Sequence, residues 1–202
     1  MTKPPPSPRT ARRRRVTKET TVDVALGLDG VGIARVTTGL PFYDHMLEQL
    51  GRHGGFDLTV NATGDLSVDS HHTVEDVAIT IGECFREALG DKAGVRRFAS
   101  GLFPLDEALV EVALDLSGRP FVVWEVTIPE VLPLGNPPFD PQLAEHAVSS
   151  LATAAGITLH VTLKRGRNAH HIIEATFKGL ARTLRDAVRV EGTGIPSTKG
   201  VL

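Results

Sequence analysis

Two short stretches of this chain repeat each other, and the repetition restricts the fold more than any other feature. A histidine pair followed by glutamate at i+4 of the first histidine occurs as His71, His72 and Glu75, and again as His170, His171 and Glu174. Each copy follows a lone histidine beside an acid. Asp44-His45 lies 26 positions before His71, and Glu145-His146 lies 24 positions before His170. Chance rarely repeats chemical residues and their spacing together, so the chain reads as one structural unit written twice.

The hydrophobic pattern around these residues repeats as well. Val22, Val24, Leu26 and Leu28 alternate as in a half-buried strand, Asp29-Gly30 supplies a turn, and residues 31–36 can return as the second strand of a hairpin. A helix is expected over about 43–51, a strand over 56–60, and a second helix over 74–89, where Val77, Ile81, Phe85 and Ala88 share one face. The second half offers strands at 108–115 and 121–128 around the Ser117-Gly118 turn. A helix at 142–155, a strand at 157–163 and a helix at 170–190 follow.

The expected fold is α+β: an internally duplicated β-β-α-β-α unit in which helices cover one face of each of two sheets, the halves related by a pseudo-twofold axis. The halves are expected to span 16–104 and 105–192. Residues 193–202 follow as a C-terminal tail, and residues 1–15, rich in proline and arginine, are expected to be disordered.

A chain of 202 residues can bury a sizeable core. Its 41% hydrophobic and 23% charged residues and net charge of −2 favour no polyanionic partner. The run from Arg12 to Arg15 reads as a solvated extension rather than a nucleic-acid contact. No apolar run is long enough for a membrane span, and no secretion signal is evident, so a cytoplasmic location is expected. Cys84 is the only cysteine, which excludes an intrachain disulfide and a cysteine-rich zinc site, and it reads as core.

On a helix, i and i+4 lie on one face, whereas i and i+1 point about 100° apart. His71 and Glu75 can therefore share one ion while His72 looks toward another, and His170, Glu174 and His171 divide in the same way. Nitrogen and oxygen donors without sulfur suit manganese, iron or zinc, and spacing leaves those three open. Six histidines and two glutamates would give two ions four protein ligands each, with positions left for substrate. His160 reads as structural, while His53 could line the site. One half is not expected to reach the other half's ion, so a neighbouring subunit is expected to supply ligands, and the metal to organise assembly.

These residues resemble the imidazoleglycerol-phosphate dehydratase family of histidine biosynthesis. The likeness covers about residues 14–202. It runs through Lys18-Glu19-Thr20, Leu40-Pro41-Phe42-Tyr43-Asp44-His45-Met46-Leu47 and Asp69-Ser70-His71-His72-Thr73-Val74-Glu75-Asp76. It continues through Leu116-Ser117-Gly118-Arg119-Pro120, Ala169-His170-His171-Ile172-Ile173-Glu174-Ala175 and Pro196-Ser197-Thr198-Lys199-Gly200.

The resemblance implies a metal-dependent hydro-lyase that removes water from imidazole glycerol phosphate to give imidazole acetol phosphate. It implies two manganese(II) ions per active site, and a cage of twenty-four subunits with active sites at their interfaces. A substrate ring held between the ions as imidazolate would expel the hydroxyl and pass through a diazafulvene-like intermediate. The family's ligand pattern falls on His45, His71, His72, Glu75, His146, His170, His171 and Glu174, the set that the duplication selects. Glu19 becomes the first candidate for proton transfer beside the substrate, with Glu75 and Glu174 as alternatives. Arg97, Arg119, Ser197 and Lys199 match phosphate-binding positions, which makes the C-terminal tail a substrate-binding segment. Gln49, His53 and Lys178 are lesser substrate-binding candidates.

Without the resemblance, Glu19 is an ordinary surface glutamate and Arg96-Arg97 a solvated pair. Lys178 is then a helical ion-pair partner of Glu174 at i+4. Two other functions compete on the residues alone. A dinuclear metallohydrolase would keep the ions and release phosphate, and a nucleic-acid-binding module would use the Arg12 to Arg15 run.

Overall fold

The strict alternation of Val22, Val24 and Leu26 buries one side of a strand, β2 (Thr20–Gly27), and its two edges are taken by β1 (Thr10–Val16) and β4 (Asp57–Gly64), both antiparallel to it. A short strand, β3 (Ala34–Thr37), pairs in parallel with β4, and the helices α1 (Pro41–Gly54) and α2 (His71–Leu89) complete the unit. The second unit comprises β5 (Phe98–Leu105), β6 (Ala108–Asp115), β7 (Phe121–Glu125), α3 (Leu143–Ala155), β8 (Thr158–Arg165) and α4 (Ala169–Ala187). This computed structural model describes residues 8–129, 132–200 and 202. Strand order is β1-β2-β4-β3 in one sheet and β5-β6-β8-β7 in the other, so the duplicated α+β architecture extends to topology.

The structure corrects three expectations. The stretches around Asp29-Gly30 and Ser117-Gly118 are not hairpins. Val36 sits opposite Val60 of β4, and Val122 opposite Leu159 of β8, both in parallel. In each unit the outer strand, β1 or β5, occupies the place that a hairpin partner would take. The loop before β3 is held by Asp57 Oδ1, which accepts from the backbone N–H groups of Val31 and Ile33 at 3.0 Å each.

Residues 10–15 are not a disordered tail but most of β1. The basic run hides an alternation, because Arg13 pairs with Glu87 at 2.9 Å and Arg15 with Asp76 at 2.6 Å on α2, whereas Arg12 and Arg14 face Asp23 at 3.9 and 3.6 Å. Charged side chains on an edge strand also discourage pairing with further chains. Of the rest of the expected tail, Arg9 donates to Asp29 at 2.9 Å and to the Val188 carbonyl at 2.6 Å, and residues 1–7 lie outside the described residues.

The third correction concerns the boundary between the halves. A division at 104/105 cuts the β5–β6 hairpin, because β5 belongs to the second sheet. Ser100, Gly101 and Pro104 depress its strand propensity, and such residues are tolerated on an edge.

The helices of each unit cover one face of their own sheet and meet the helices of the other unit. α2 packs on β1 and β2 and against α3, while α4 packs on β5 and β6 and against α1. The two units therefore share one core. At the α2–α3 contact, a Cβ at Gly82 would come 2.4 Å from the Leu151 carbonyl oxygen, so the backbones touch where any side chain would separate them.

Candidate metal centres

Both histidine pairs occupy the first turn of a helix, where backbone N–H groups lack intrahelical partners. The Asp69 carboxylate accepts from the His71 N–H at 2.6 Å, and Asn168 caps α4 by accepting from the His171 N–H at 3.2 Å. On α1, Pro41 sets the first turn, and the helix stops at Gly55, whose φ of 67° suits glycine. His45 and His146 lie on α1 and α3, the helices packed against the partner half.

The packing forms two clusters. In the first, His45 of α1 meets His170 and Glu174 of α4, with Glu174 Oε2 2.9 Å from His170 Nε2 and 3.4 Å from His45 Nε2. In the second, His71 and Glu75 of α2 meet His146 of α3. The His71 and His146 ring centroids lie 4.3 Å apart, and His146 Nε2 is 3.4 Å from Glu75 Oε1. The expectation that one half cannot reach the other's cluster is corrected, because each trio takes residues from both halves of a single chain. Helix-to-helix packing between the sheets brings them together.

The donors fit a divalent ion. Two ligand atoms each about 2.1 Å from one ion, at angles near 90–110°, lie roughly 3.0–3.4 Å apart. Within each trio the donor atoms lie within 4.8 Å of one another. His146 Nε2 is buried with no hydrogen-bond partner among the described residues, a state that an ion would relieve.

His72 and His171 belong to neither trio. His72 Nδ1 lies 3.1 Å from Asp65 Oδ2, and His171 Nδ1 lies 2.7 Å from Glu107 Oε2. A carboxylate only accepts, so each Nδ1 carries the proton, while His171 Nε2 lies 3.8 Å from Asp106 Oδ2. The pairing raises the pKa of both histidines, while the His171 hydrogen bond holds the Glu107 carboxyl at about 2. No spacing in the sequence links Asp65 or Glu107 to these histidines. Glu107 does have one visible trait, its place in the two-residue turn between β5 and β6.

Around the first trio, polar groups continue along both helices. Gln49 Nε2 is 3.3 Å from His45 Nδ1, Gln49 Oε1 is 3.1 Å from His53 Nε2, and Lys178 Nζ is 2.7 Å from Glu174 Oε1. Burial pushes the Glu174 carboxyl up, but hydrogen bonds from Lys178 and His170 outweigh it and hold the pKa at about 2. Burial, with the nearby charges of Lys178 and Arg182, lowers the His53 pKa. Glu19 lies exposed in the β1–β2 turn. Its carbonyl accepts from the Asp65 N–H at 3.1 Å, and its charge acts on His72, so it is grouped with His72 rather than with a trio of its own chain.

Arg97, Arg119, Ser197 and Lys199 line a separate cleft of about 470 Å³ with Pro196 and Thr198. Arg97 donates twice to Asp115, at 2.6 and 3.0 Å, and once to the Pro196 carbonyl at 2.6 Å. A guanidinium has five N–H groups, so two remain. His160 is exposed on β8, away from these groups.

The fold and its two N,N,O trios define a metal-binding protein with an internally duplicated α+β architecture. The imidazoleglycerol-phosphate dehydratase profile matches residues 38–184, and the chain belongs to that family. It is 57% identical over 199 residues to the imidazoleglycerol-phosphate dehydratase of Acidothermus cellulolyticus, covering 98% of this chain and 95% of that one. It is 50% identical to the protein of that name from Methanopyrus kandleri, covering 97% and 98%. The solved structure of the enzyme from Pyrococcus furiosus superposes with a TM-score of 0.81 at 38% identity, covering 94% of this chain and all of that one.

Proposed function

We propose that this chain is a metal-dependent hydro-lyase converting imidazole glycerol phosphate to imidazole acetol phosphate in histidine biosynthesis. The observation that carries the reading is the presence, in a member of this family, of two three-donor trios together with two histidines that belong to neither and whose Nδ1 atoms are held by carboxylates. Each trio lacks a fourth protein ligand, and His72 and His171 of further copies supply it. The active sites then lie between subunits, in an assembly of twenty-four, with two manganese ions at each site.

When bound, the ions stabilise negative charge on the imidazole ring as hydroxide departs. The chain's own groups do the rest. Glu19, brought beside the neighbouring trio along with His72, moves the proton lost from carbon. Glu75 and Glu174 serve as ligands, and the Lys178 hydrogen bond turns one Glu174 oxygen away from the ion position. Gln49 and His53 orient the substrate's polar groups. The two free N–H groups of Arg97, with Arg119, Ser197, Lys199 and the C-terminal segment, hold the phosphate.

Chelated protein should regain ketone formation when manganese is added back, with phosphate retained on the product. Release of inorganic phosphate would instead indicate a metallohydrolase. Replacing Arg97 or Lys199 should raise KM strongly for the phosphorylated substrate, and unchanged kinetics would remove them from the site.

A further inference from the structure

The duplication can be followed residue by residue along the central strands. β2 and β6 have eight residues each with the same alternation of buried and half-buried positions, and β4 and β8, which pair with them, also have eight residues each. Thr20 therefore corresponds to Ala108, and the residue just before it, Glu19, corresponds to Glu107. In the same way Asp65, the first residue after β4, corresponds to Gly166, the first after β8.

The two corresponding glutamates are engaged differently. Glu19 is exposed, and among the described residues its carboxylate makes no hydrogen bond or ion pair. Glu107 has both oxygens occupied: Oε2 accepts from His171 Nδ1 at 2.7 Å, and Oε1 accepts from the backbone N–H groups of Arg167 and Asn168 at 3.2 and 2.9 Å. The loops before the histidine helices give the reason. Residues 65–70 join β4 to α2, and the first of them, Asp65, reaches His72. Only Gly166, Arg167 and Asn168 join β8 to α4, and none is acidic. The second unit therefore draws its carboxylate from the β5–β6 turn.

We propose that Glu107, the counterpart of Glu19, is a positioning residue rather than a proton-transfer group: it holds the His171 proton on Nδ1, so that Nε2 keeps the lone pair a metal ion needs, as Asp65 does for His72. The carboxylate nearest Nε2, that of Asp106, lies 3.8 Å away, beyond hydrogen-bond distance. The two copies of the constellation are thereby chemically unlike. Of the corresponding glutamates, only Glu19 is left to move a proton.

Glu107→Gln separates the two roles, because an amide has a single acceptor. The two backbone N–H groups hold its oxygen, which turns the NH2 toward His171. Nδ1 must then accept, and the ring proton moves to Nε2, where it blocks coordination. Manganese(II) titration of the chelated protein should show binding weakened about 10–100-fold. Activity lost at limiting manganese should largely return as manganese is raised. Glu19→Gln should bind manganese as wild type does and stay impaired at every concentration. Asp65→Asn should weaken binding less than Glu107→Gln, because both Asp65 oxygens lie within 3.2 Å of His72 Nδ1 and either can face the ring.

Unchanged affinity in Glu107→Gln, or impairment that excess manganese does not relieve, overturns the proposal. Should that variant fail to fold, nitrogen NMR of the chelated wild type decides. The neutral His171 ring, identified by the signal lost in His171→Gln, should carry its proton on Nδ1, and a proton on Nε2 overturns the proposal. The inference rests on reading His171 as a ligand, which His171→Gln tests by itself. If that variant binds manganese as tightly as wild type, the ligand reading falls. If it binds weakly while Glu107→Gln binds normally, only the role of Glu107 falls.

Discussion

A single nitrogen, Nε2 of His146, shows how a residue's surroundings reveal its task. It is buried, lacks a hydrogen bond, and faces Glu75 and His71. His146→Ala should lower the bound manganese by one ion for each chain, read by elemental analysis of the dialysed protein. Full metal content would remove His146 from the ligand set. Glu19 is exposed and has little structural work to do. Glu19→Gln should therefore fold normally and lose about 10²–10⁴-fold in kcat, as expected for loss of a group that transfers a proton. Near-normal turnover would exclude it. Identity and spacing alone select eight ligand candidates, and the structure gathers six of them into the two trios. Asp65, Glu107 and Asp115 were not legible in this way, because a carboxylate opposite a histidine or arginine across a loop leaves no periodic trace.

At the level of elements, two contacts control how the trios form. Gly82 lets α2 and α3 touch, and His71, Glu75 and His146 ride on those helices. Gly82→Ala must push the helices apart, since the obstructing atoms include the Leu151 carbonyl and the Ala155 nitrogen. A loss of about 1–3 kcal/mol is expected, the usual cost of overpacking, with weakened metal binding at that trio alone. Denaturant unfolding and metal titration measure the two effects. Unaltered metal affinity would mean that the helix spacing does not set the site.

Asp57 organises the loop before β3. Backbone N–H groups of Ile33 and Val31 hold its carboxyl below the usual range. A lowered folded-state pKa stabilises above the unfolded value near 4, and the contribution disappears as pH falls through the folded value. Asp57→Ala should cost about 1 kcal/mol at neutral pH, typical of lost net hydrogen bonding, and the difference from wild type should shrink in acid. The elements with strong apolar alternation or helical spacing, β2, β6, α2 and α4, lie close to where the pattern puts them. β1 and β5 were missed because arginines in one, and glycine and proline in the other, mask an alternation that packing nevertheless enforces.

At the scale of the whole molecule, the two sheets enclose helices drawn from both units, so neither half can complete a trio by itself. His72 and His171 belong to neither trio, and on the proposed reading, in which they complete the trios of neighbouring copies, metal and assembly are coupled. Chelation should shift the particle to a smaller size on size-exclusion chromatography, and added manganese should restore it. An elution volume indifferent to chelator would show that the ions do not bridge subunits. Among the described residues no helix is long and apolar enough to cross a membrane.

The sequence by itself determined the duplication, the helices that carry the histidines, and the donor chemistry, because those depend on residue identity and on periods of two and 3.6 residues along one chain. Tertiary structure decided which strands pair, that each trio spans both halves, and that Asp65 and Glu107 hold His72 and His171. Strand pairing and helix packing join residues far apart in sequence. The energy that selects them comes from burying shared surface, and a linear pattern does not encode which surfaces meet.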